Sequence, residues 1–233
     1  MLTTIKSYLS DFTHLLYPHN CEGCGTDVLD NGNFLCAKCF YELPETGFFT
    51  VADNPVEKKF YGRLKVEQAA SSYYFTKNSL LQRLVYELKY KGNMQMGLYL
   101  GKLVGYQLQD NNRFDAIEAL VPMPLNAKRE KKRGYNQAQL ICEGIASVWQ
   151  KPIISHAVSR AVATTTQTKQ NISSRWENVD GAFAISNADA LKGKHIALVD
   201  DVITTGASVE ACGSEMVKIP GVRLSVIGVG FTI

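Results

Sequence analysis

Apolar positions recur along the chain with two periods, and the way the periods alternate sets the first expectation. In "NSLLQRLVYELKYKGN", Leu80, Leu81, Leu84, Val85 and Leu88 fall on one face of a 3.6-residue repeat. That spacing predicts an amphipathic helix, capped by Asn78 or Ser79 and ended by Gly92. "MGLYLGKLVGYQLQ" carries a weaker helical stripe with three glycines in it. "NQAQLICEGIASVWQ" puts Ala138, Ile141, Cys142, Ile145 and Trp149 on one side, and "SVEACGSEMVKI" reads as a helix that stops at Pro220. Between these lie short runs without the helical period: "EQAASSYYF", "DAIEALVPMP", "KPIISHAV", "KHIALVDD" and "VRLSVIGVGF". These predict strands, and the last two are continuously apolar, as strands covered on both faces are. Strands alternating with helices predict a parallel sheet with helices on its faces.

Two segments depart from the alternation. Residues 162–183, "VATTTQTKQNISSRWENVDGAF", are polar and lack a clear period, which suits a functional loop, a short helix or a strand pair. The opening stretch, "MLTTIKSYLSDFTHLLYP", places Leu2, Ile5, Leu9, Phe12 and Leu16 at helical spacing. It reads as an amphipathic helix packed on its own domain, with a membrane-surface role as the alternative. Lys6, Asp11 and His14 interrupt it, so it does not read as a signal peptide. The expected organisation is a head over residues 1–50, a connecting strand and helix region over 51–112, and an α/β core over 113–233.

Composition adds bounds. The chain has 233 residues, 45% hydrophobic and 20% charged, with a net charge of +3. That is an ordinary globular balance with a mild lean toward anionic partners. No apolar run reaches the ~18 residues of a membrane span, so a cytoplasmic location is expected.

Four of the six cysteines form "CEGC" and "CAKC": Cys21, Cys24, Cys36 and Cys39, with eleven residues between the pairs. Two residues between thiolates let one turn present both sulfurs to a metal at ~2.3 Å, and two such knuckles complete a tetrahedral, closed, structural Zn²⁺ site. Disulfides or redox dithiols are the alternatives. The turn-rich surroundings and the absence of an export signal favour zinc. His19 lies nearby as a substitute ligand or a surface residue. Cys142 and Cys212 fall in predicted helices and read as buried small residues.

The stretch "HIALVDDVITTGAS" carries the strongest chemistry. Asp200 and Asp201 follow Val199 at the carboxyl end of an apolar strand, where open α/β sheets bind ligands. Adjacent strand residues face opposite ways, so the carboxylates converge on one ligand only if the chain turns within "VITTG". A vicinal diol suits such acceptors. Thr204, Thr205, Gly206, Ala207 and Ser208 then open a helix, whose free N–H groups and dipole favour a phosphate. A diol and a phosphate a few residues apart describe a ribose 5-phosphate. An ordinary helix cap is the plainer reading of "TTGAS" alone.

These residues resemble the phosphoribosyl-pyrophosphate (PRPP) motif of type I phosphoribosyltransferases. The paired knuckles, "ELKYKGN", "VPMPLNAKREKKRGYNQAQL", "TTTQTKQNISSRWENVDGAF" and "VDDVITTGAS" together resemble the ComF family, the competence-associated, amidophosphoribosyltransferase-like proteins also called GntX-like. The resemblance implies a type I phosphoribosyltransferase-like parallel sheet flanked by helices, with a small four-cysteine head of the double zinc-knuckle type. It implies a 5-phosphate on Thr204–Ser208, ribose hydroxyls on Asp200 and Asp201, and pyrophosphate at the "VPMPL" loop with Pro122 and Met123. A hood loop over residues 163–175 and Mg²⁺ carried with PRPP complete the picture. Cations for the leaving group are Lys128, Arg129, Arg133 and Arg175, with Arg133 favoured. Lys131 and Lys132 read as part of a solvated basic turn.

The implied activity is phosphoribosyl transfer, in the domain of nucleoside metabolism, to an acceptor the motifs do not name. The family also implies DNA uptake in natural transformation, with single-stranded DNA and competence-machinery proteins as partners. "AKREKKRGYNQ", with Lys65, Lys89, Tyr90 and Lys91, supplies the cations and rings such a strand uses. A non-catalytic PRPP- or nucleotide-binding module is the competing expectation.

Overall fold

The structure, a computed structural model, describes residues 20–27, 33–160 and 182–233. The amino-terminal helix, His19, the 163–175 loop and Arg175 lie outside the described residues. The chain divides into two compact units at the Pro44–Glu45 bond.

In the first unit, the turn from Cys21 closes through the Gly25 N–H on the Cys21 carbonyl at 2.8 Å and the Cys21 N–H on the Thr26 carbonyl at 2.7 Å. The second knuckle opens the short helix α1 (Ala37–Tyr41), with Cys36 as its N-cap residue.

The second unit follows the predicted alternation. In chain order it holds α2 (Pro55–Lys58), β1 (Gln68–Tyr74), α3 (Leu80–Tyr90), α4 (Met94–Gln109), β2 (Ala119–Pro122), α5 (Ala127–Arg133), α6 (Gln137–Trp149), β3 (Val158–Arg160), β4 (Phe183–Ile185), β5 (His195–Ile203), α7 (Ala207–Met216) and β6 (Arg223–Phe231). Ser79, Asn93 and Asn136 cap α3, α4 and α6 by accepting backbone N–H bonds, which satisfies first-turn donors. The main sheet has the order β1-β6-β5-β2, and every pairing is parallel. β5 and β6 are central, and Ile196 to Val199 together with Leu224 to Val229 are buried. This is the parallel sheet with helical cover that the apolar runs predict.

The three glycines of α4 have a packing reason. A side chain at Gly101 would strike the Ile141 carbonyl of α6 and lie 2.9 Å from the Gly144 Cα. Gly97 and Gly105 face Leu140 and Val148 on the same seam. α4 and α6 therefore cross at backbone contact, which a larger residue prevents.

Three expectations are corrected. "AKREKKR" is not a turn but the helix α5. Asn126 accepts from the Lys128 N–H at 3.0 Å, Glu130 sits in the first turn, Lys131, Lys132 and Arg133 sit in the last, and Gly134 ends it. Caps and dipole-matched charge form this helix without a buried face. "KPIISHAV" is not one strand. Ile153 makes only an isolated bridge to Leu120, and His156, at φ +62°, turns the chain toward β3, which pairs antiparallel with β4 in a separate ribbon. The final helix ends at Met216 rather than at Pro220. Among the described residues, no helix is long and apolar enough to cross a membrane.

Candidate functional site

The carboxyl end of β5 brings together most of the residues singled out above. Val199 pairs with Pro122, and the Met123 N–H donates to the Val199 carbonyl at 2.8 Å, so the end of β2 lies directly beside the acidic doublet. The strand runs to Ile203, and the bend falls at Thr204–Gly206, within "VITTG" but past the doublet. Asp200 and Asp201 therefore keep strand alternation and do not converge.

Asp201 is 4% exposed, and its Oδ1 accepts from Lys89 Nζ of α3 at 2.7 Å. Its Oδ2 is buried and has no hydrogen-bond partner among the described residues. Asp200 is half-buried, and its Oδ1 accepts the Asp201 N–H at 2.9 Å. Burial and then the neighbouring Asp201 charge push the Asp200 carboxyl up to about 7, against the pull of the Asp201 N–H, Lys89 and Arg160. Cys212 of α7 senses the same carboxylate: burial, then the Asp200 charge, raise its thiol to about 12.

The loop after the doublet is braced from below and open above. Gly206 is buried at φ +79°, and a Cβ there would lie 3.0 Å from Cε1 of the fully buried Phe60. Only glycine accepts both the left-handed backbone and that ring without cost. Arg63 reaches the Thr205 carbonyl at 3.4 Å and pairs with Glu210 of α7. Thr204, Thr205 and Ser208 are exposed; the N-cap residue Gly206 has no side chain to offer α7, and Thr205 Oγ1 accepts the Ala207 N–H at 3.4 Å. The positive end of α7, with one first-turn N–H weakly held by Thr205, thus follows directly on the acidic strand end.

Arg133 is engaged away from this loop. Its guanidinium donates to Gln137 and lies 6.0 Å from the Tyr90 ring centre. The Tyr135 hydroxyl donates to the Leu88 carbonyl, and Asn136 Nδ2 donates to the Met123 carbonyl at 3.0 Å. The end of α3 and the α5–α6 junction therefore meet around the "VPMPL" loop. A cavity of about 580 Å³ opens there, lined among others by Pro122, Tyr135, Glu143, His156 and Arg160. Arg160, Phe60 and Arg63 carry no sequence signal as site residues, and the sequence points to Lys89 only as a cation of the single-strand patch, not as a partner of Asp201. Lys89 stood within the quoted "ELKYKGN", but no local signal says that α3 ends over β5.

In the first unit the four knuckle sulfurs all lie within 4.8 Å of one another, and Cys24 and Cys36 are 3.7 Å apart. A tetrahedron with ~2.3 Å metal–sulfur bonds has edges of about 3.8 Å. None of the six cysteines is in a disulfide. Burial pushes the Cys21 thiol up, but N–H groups of Cys36, Cys24 and Gly23 outweigh it and hold the group at about 6. Burial and the neighbouring thiols raise Cys39. Four sulfurs at this spacing fit a closed four-thiolate metal site. Cys142 and Cys212 are buried, as their helical positions imply.

The second unit is thus a parallel sheet flanked by helices, whose central acidic strand passes through a glycine bend into α7. The same chain carries a small four-cysteine head. No family model matches the chain. It is similar to "Competence protein F" of Haemophilus influenzae, 28% identical over 152 residues, 64% of this chain and 66% of that protein. It is also similar to "DNA utilization protein YhgH" of Escherichia coli K12, 30% identical over 132 residues, 55% and 57% of the two chains. "Competence protein ComFC" of Bacillus subtilis is 26% identical over 139 residues, 58% and 52%. The match spans less than two thirds of each relative's length. These are the competence and DNA-utilization relatives that the motif resemblance implied. Among solved structures, adenine phosphoribosyltransferase from Saccharomyces cerevisiae overlaps 75% of this chain and 86% of its own, at 16% identity and a TM-score of 0.37. Glutamine PRPP amidotransferase from B. subtilis overlaps 56% and 25%, at 14% identity and 0.37.

Proposed function

We propose that the chain binds PRPP at the β5–α7 junction and transfers its phosphoribosyl group. The observation that carries this reading is the junction itself: a half-buried Asp200 followed by a left-handed Gly206 and the first turn of α7. The 5-phosphate takes the N–H groups and hydroxyls of residues 204–208, and Asp200 accepts from the ribose diol. The pyrophosphate lies toward Pro122 and Met123, with Mg²⁺ carried by its oxygens and by water. The C1–oxygen bond to pyrophosphate breaks as C1 bonds to a nucleophilic nitrogen or oxygen of the acceptor. Pyrophosphate leaves with the electron pair, and the acceptor's proton passes to solvent. The protein's part is positioning and electrostatics. The cavity beside Pro122 and Arg160 holds the acceptor. Arg133 and Arg175 remain the proposed cations for the leaving group, together with Lys128 and Arg129. The four-cysteine head binds one structural zinc.

Calorimetric titration with Mg²⁺ and PRPP, followed by a pyrophosphate-release assay with candidate bases, tests this. Saturable binding that Asp200→Asn abolishes supports it. Equal binding by wild type and Asp200→Asn contradicts the diol assignment.

A second reading has its own support. Tyr86 and Tyr90 are exposed with ring centres 5.0 Å apart, and Arg133 approaches Tyr90 from a separate stretch later in the chain. Two cationic and aromatic stretches thus converge on one surface that suits single-stranded nucleic acid, and the relatives' names carry "competence" and "DNA utilization". Under this reading the site senses PRPP or a nucleotide without turnover. Salt-dependent oligonucleotide binding without pyrophosphate release favours it.

A further inference from the structure

The Lys89–Asp201 pair belongs to neither reading so far. Two acidic residues in succession lead one to expect two ligand-facing acceptors. The geometry separates them. Asp201 has a side chain only 5% exposed, whereas the Lys89 side chain is 24% exposed. The ammonium carries three donors, and the pair with Asp201 uses one. The more accessible partner is the cation.

Lys89 also stands where the site needs positive charge. Its neighbour Leu88 accepts the Tyr135 hydroxyl, its neighbour Tyr90 meets Arg133, and Asn136 holds the Met123 carbonyl. Those contacts bring the last turn of α3 to the loop after β2, between the acidic strand end and "VPMPL". The cluster around Lys89 is a built one: a salt bridge to a nearly buried carboxylate whose second oxygen has no partner among the described residues. Asp200 and Arg160 complete the charged groups around the strand end.

We propose that Lys89 is an anion-binding residue of the site, that Asp201 is its positioning residue rather than a ligand contact, and that the anion Lys89 takes is a diphosphate group. This rests on the reading of the site as one for a phosphorylated ribose diphosphate. It divides the doublet's work. Asp200 faces the sugar. Asp201 holds an ammonium that would otherwise swing on four flexible bonds, and so keeps it aimed at the leaving group.

Three probes separate the parts: inorganic pyrophosphate with Mg²⁺, ribose 5-phosphate, and PRPP with Mg²⁺, each titrated calorimetrically into the full chain. Lys89→Met is expected to lose roughly 10- to 100-fold in affinity for pyrophosphate and PRPP, the range of a charge-assisted bond, while ribose 5-phosphate stays within about threefold. Lys89→Arg recovers most of the loss. Asp201→Asn weakens pyrophosphate by a smaller factor, and the Lys89→Met, Asp201→Asn double variant is no worse than Lys89→Met alone. If Lys89→Met instead weakens ribose 5-phosphate as much as pyrophosphate, or leaves all three probes unchanged, the assignment is overturned while the site reading stands. If the wild type binds none of the three, the site reading fails first and this assignment fails with it.

Discussion

Neutralising Asp200 should stabilise the fold while removing the ligand. The carboxyl is raised from 3.8 to about 7, chiefly by burial and then by the Asp201 charge. A group raised in the folded state adds stability below its unfolded value and loses it as pH rises through the folded value. Above pH 7 the ionised Asp200 therefore costs the fold about 4 kcal/mol relative to its protonated form. Asparagine keeps an oxygen to accept the Asp201 N–H, now 2.9 Å from Oδ1, and carries no charge. Its half-buried NH₂ needs partners and gives back ~1–3 kcal/mol. The net gain expected for Asp200→Asn at pH 8 is about 1–3 kcal/mol by urea denaturation. Linkage makes the difference between variant and wild type shrink by roughly 2–3 kcal/mol from pH 8 to pH 5, because the wild-type carboxyl takes up its proton. A variant less stable than wild type at pH 8, or a gap that does not change with pH, would refute the reasoning. Either result means that the carboxylate is well paired in the free protein and is not held ready for a ligand.

PRPP affinity of the wild type should rise as pH increases from 6 to 8, since binding requires ionised Asp200; calorimetry at three pH values checks this, with ribose 5-phosphate and inorganic phosphate titrated alongside to separate the ligands' own ionisation. Gly206→Ala should cost about 1–2 kcal/mol of stability, from the left-handed backbone at φ +79° and the Phe60 ring 3.0 Å from the new Cβ, and should weaken phosphate binding; denaturation and phosphate titration read the two effects. Gly101→Val should separate α4 from α6 and cost roughly 1–3 kcal/mol or more, visible as a lowered thermal midpoint, whereas Gly25→Asn, at a position with open space, should cost less. Metal analysis of freshly purified protein should find about one zinc per chain. Cys36→Ser should release it and unfold the head, since structural zinc contributes ~10–16 kcal/mol of apparent binding free energy; wild-type protein free of metal with an intact head would remove the zinc assignment.

The sequence disclosed what depends on local period and local chemistry. The α3 stripe, the apolar β5 and β6 runs and the sequence "VDDVITTGAS" each carry their signal within about a dozen residues. The knuckle cysteines do so within nineteen positions, Cys21 to Cys39. Three things escaped for physical reasons. α5 has no apolar face, so its charged run reads as a turn, although Asn126 and Gly134 bracket it as caps. β3 is displaced by the left-handed His156, and its partner β4 lies past residues 162–181, so pairing could not be inferred from the strand itself. The Lys89–Asp201 bridge spans 112 positions, and nothing in either segment announces the other. The same alternation that buries β5 turns Asp201 toward α3. A sequence shows two carboxylates in a row, and only the fold shows that they face different neighbours.

The central claim is that a phosphorylated ribose is held where β5 bends into α7, and backbone amide resonances report on it directly. Titrating isotope-labelled protein with Mg²⁺ and PRPP should move the N–H signals of Asp200, Thr205, Gly206 and Ser208 first and most, with Met123 following and the four-cysteine head unaffected. Saturable shifts confined to the head or to the Tyr86–Tyr90 surface, with those of residues 200–208 unmoved, would contradict the account.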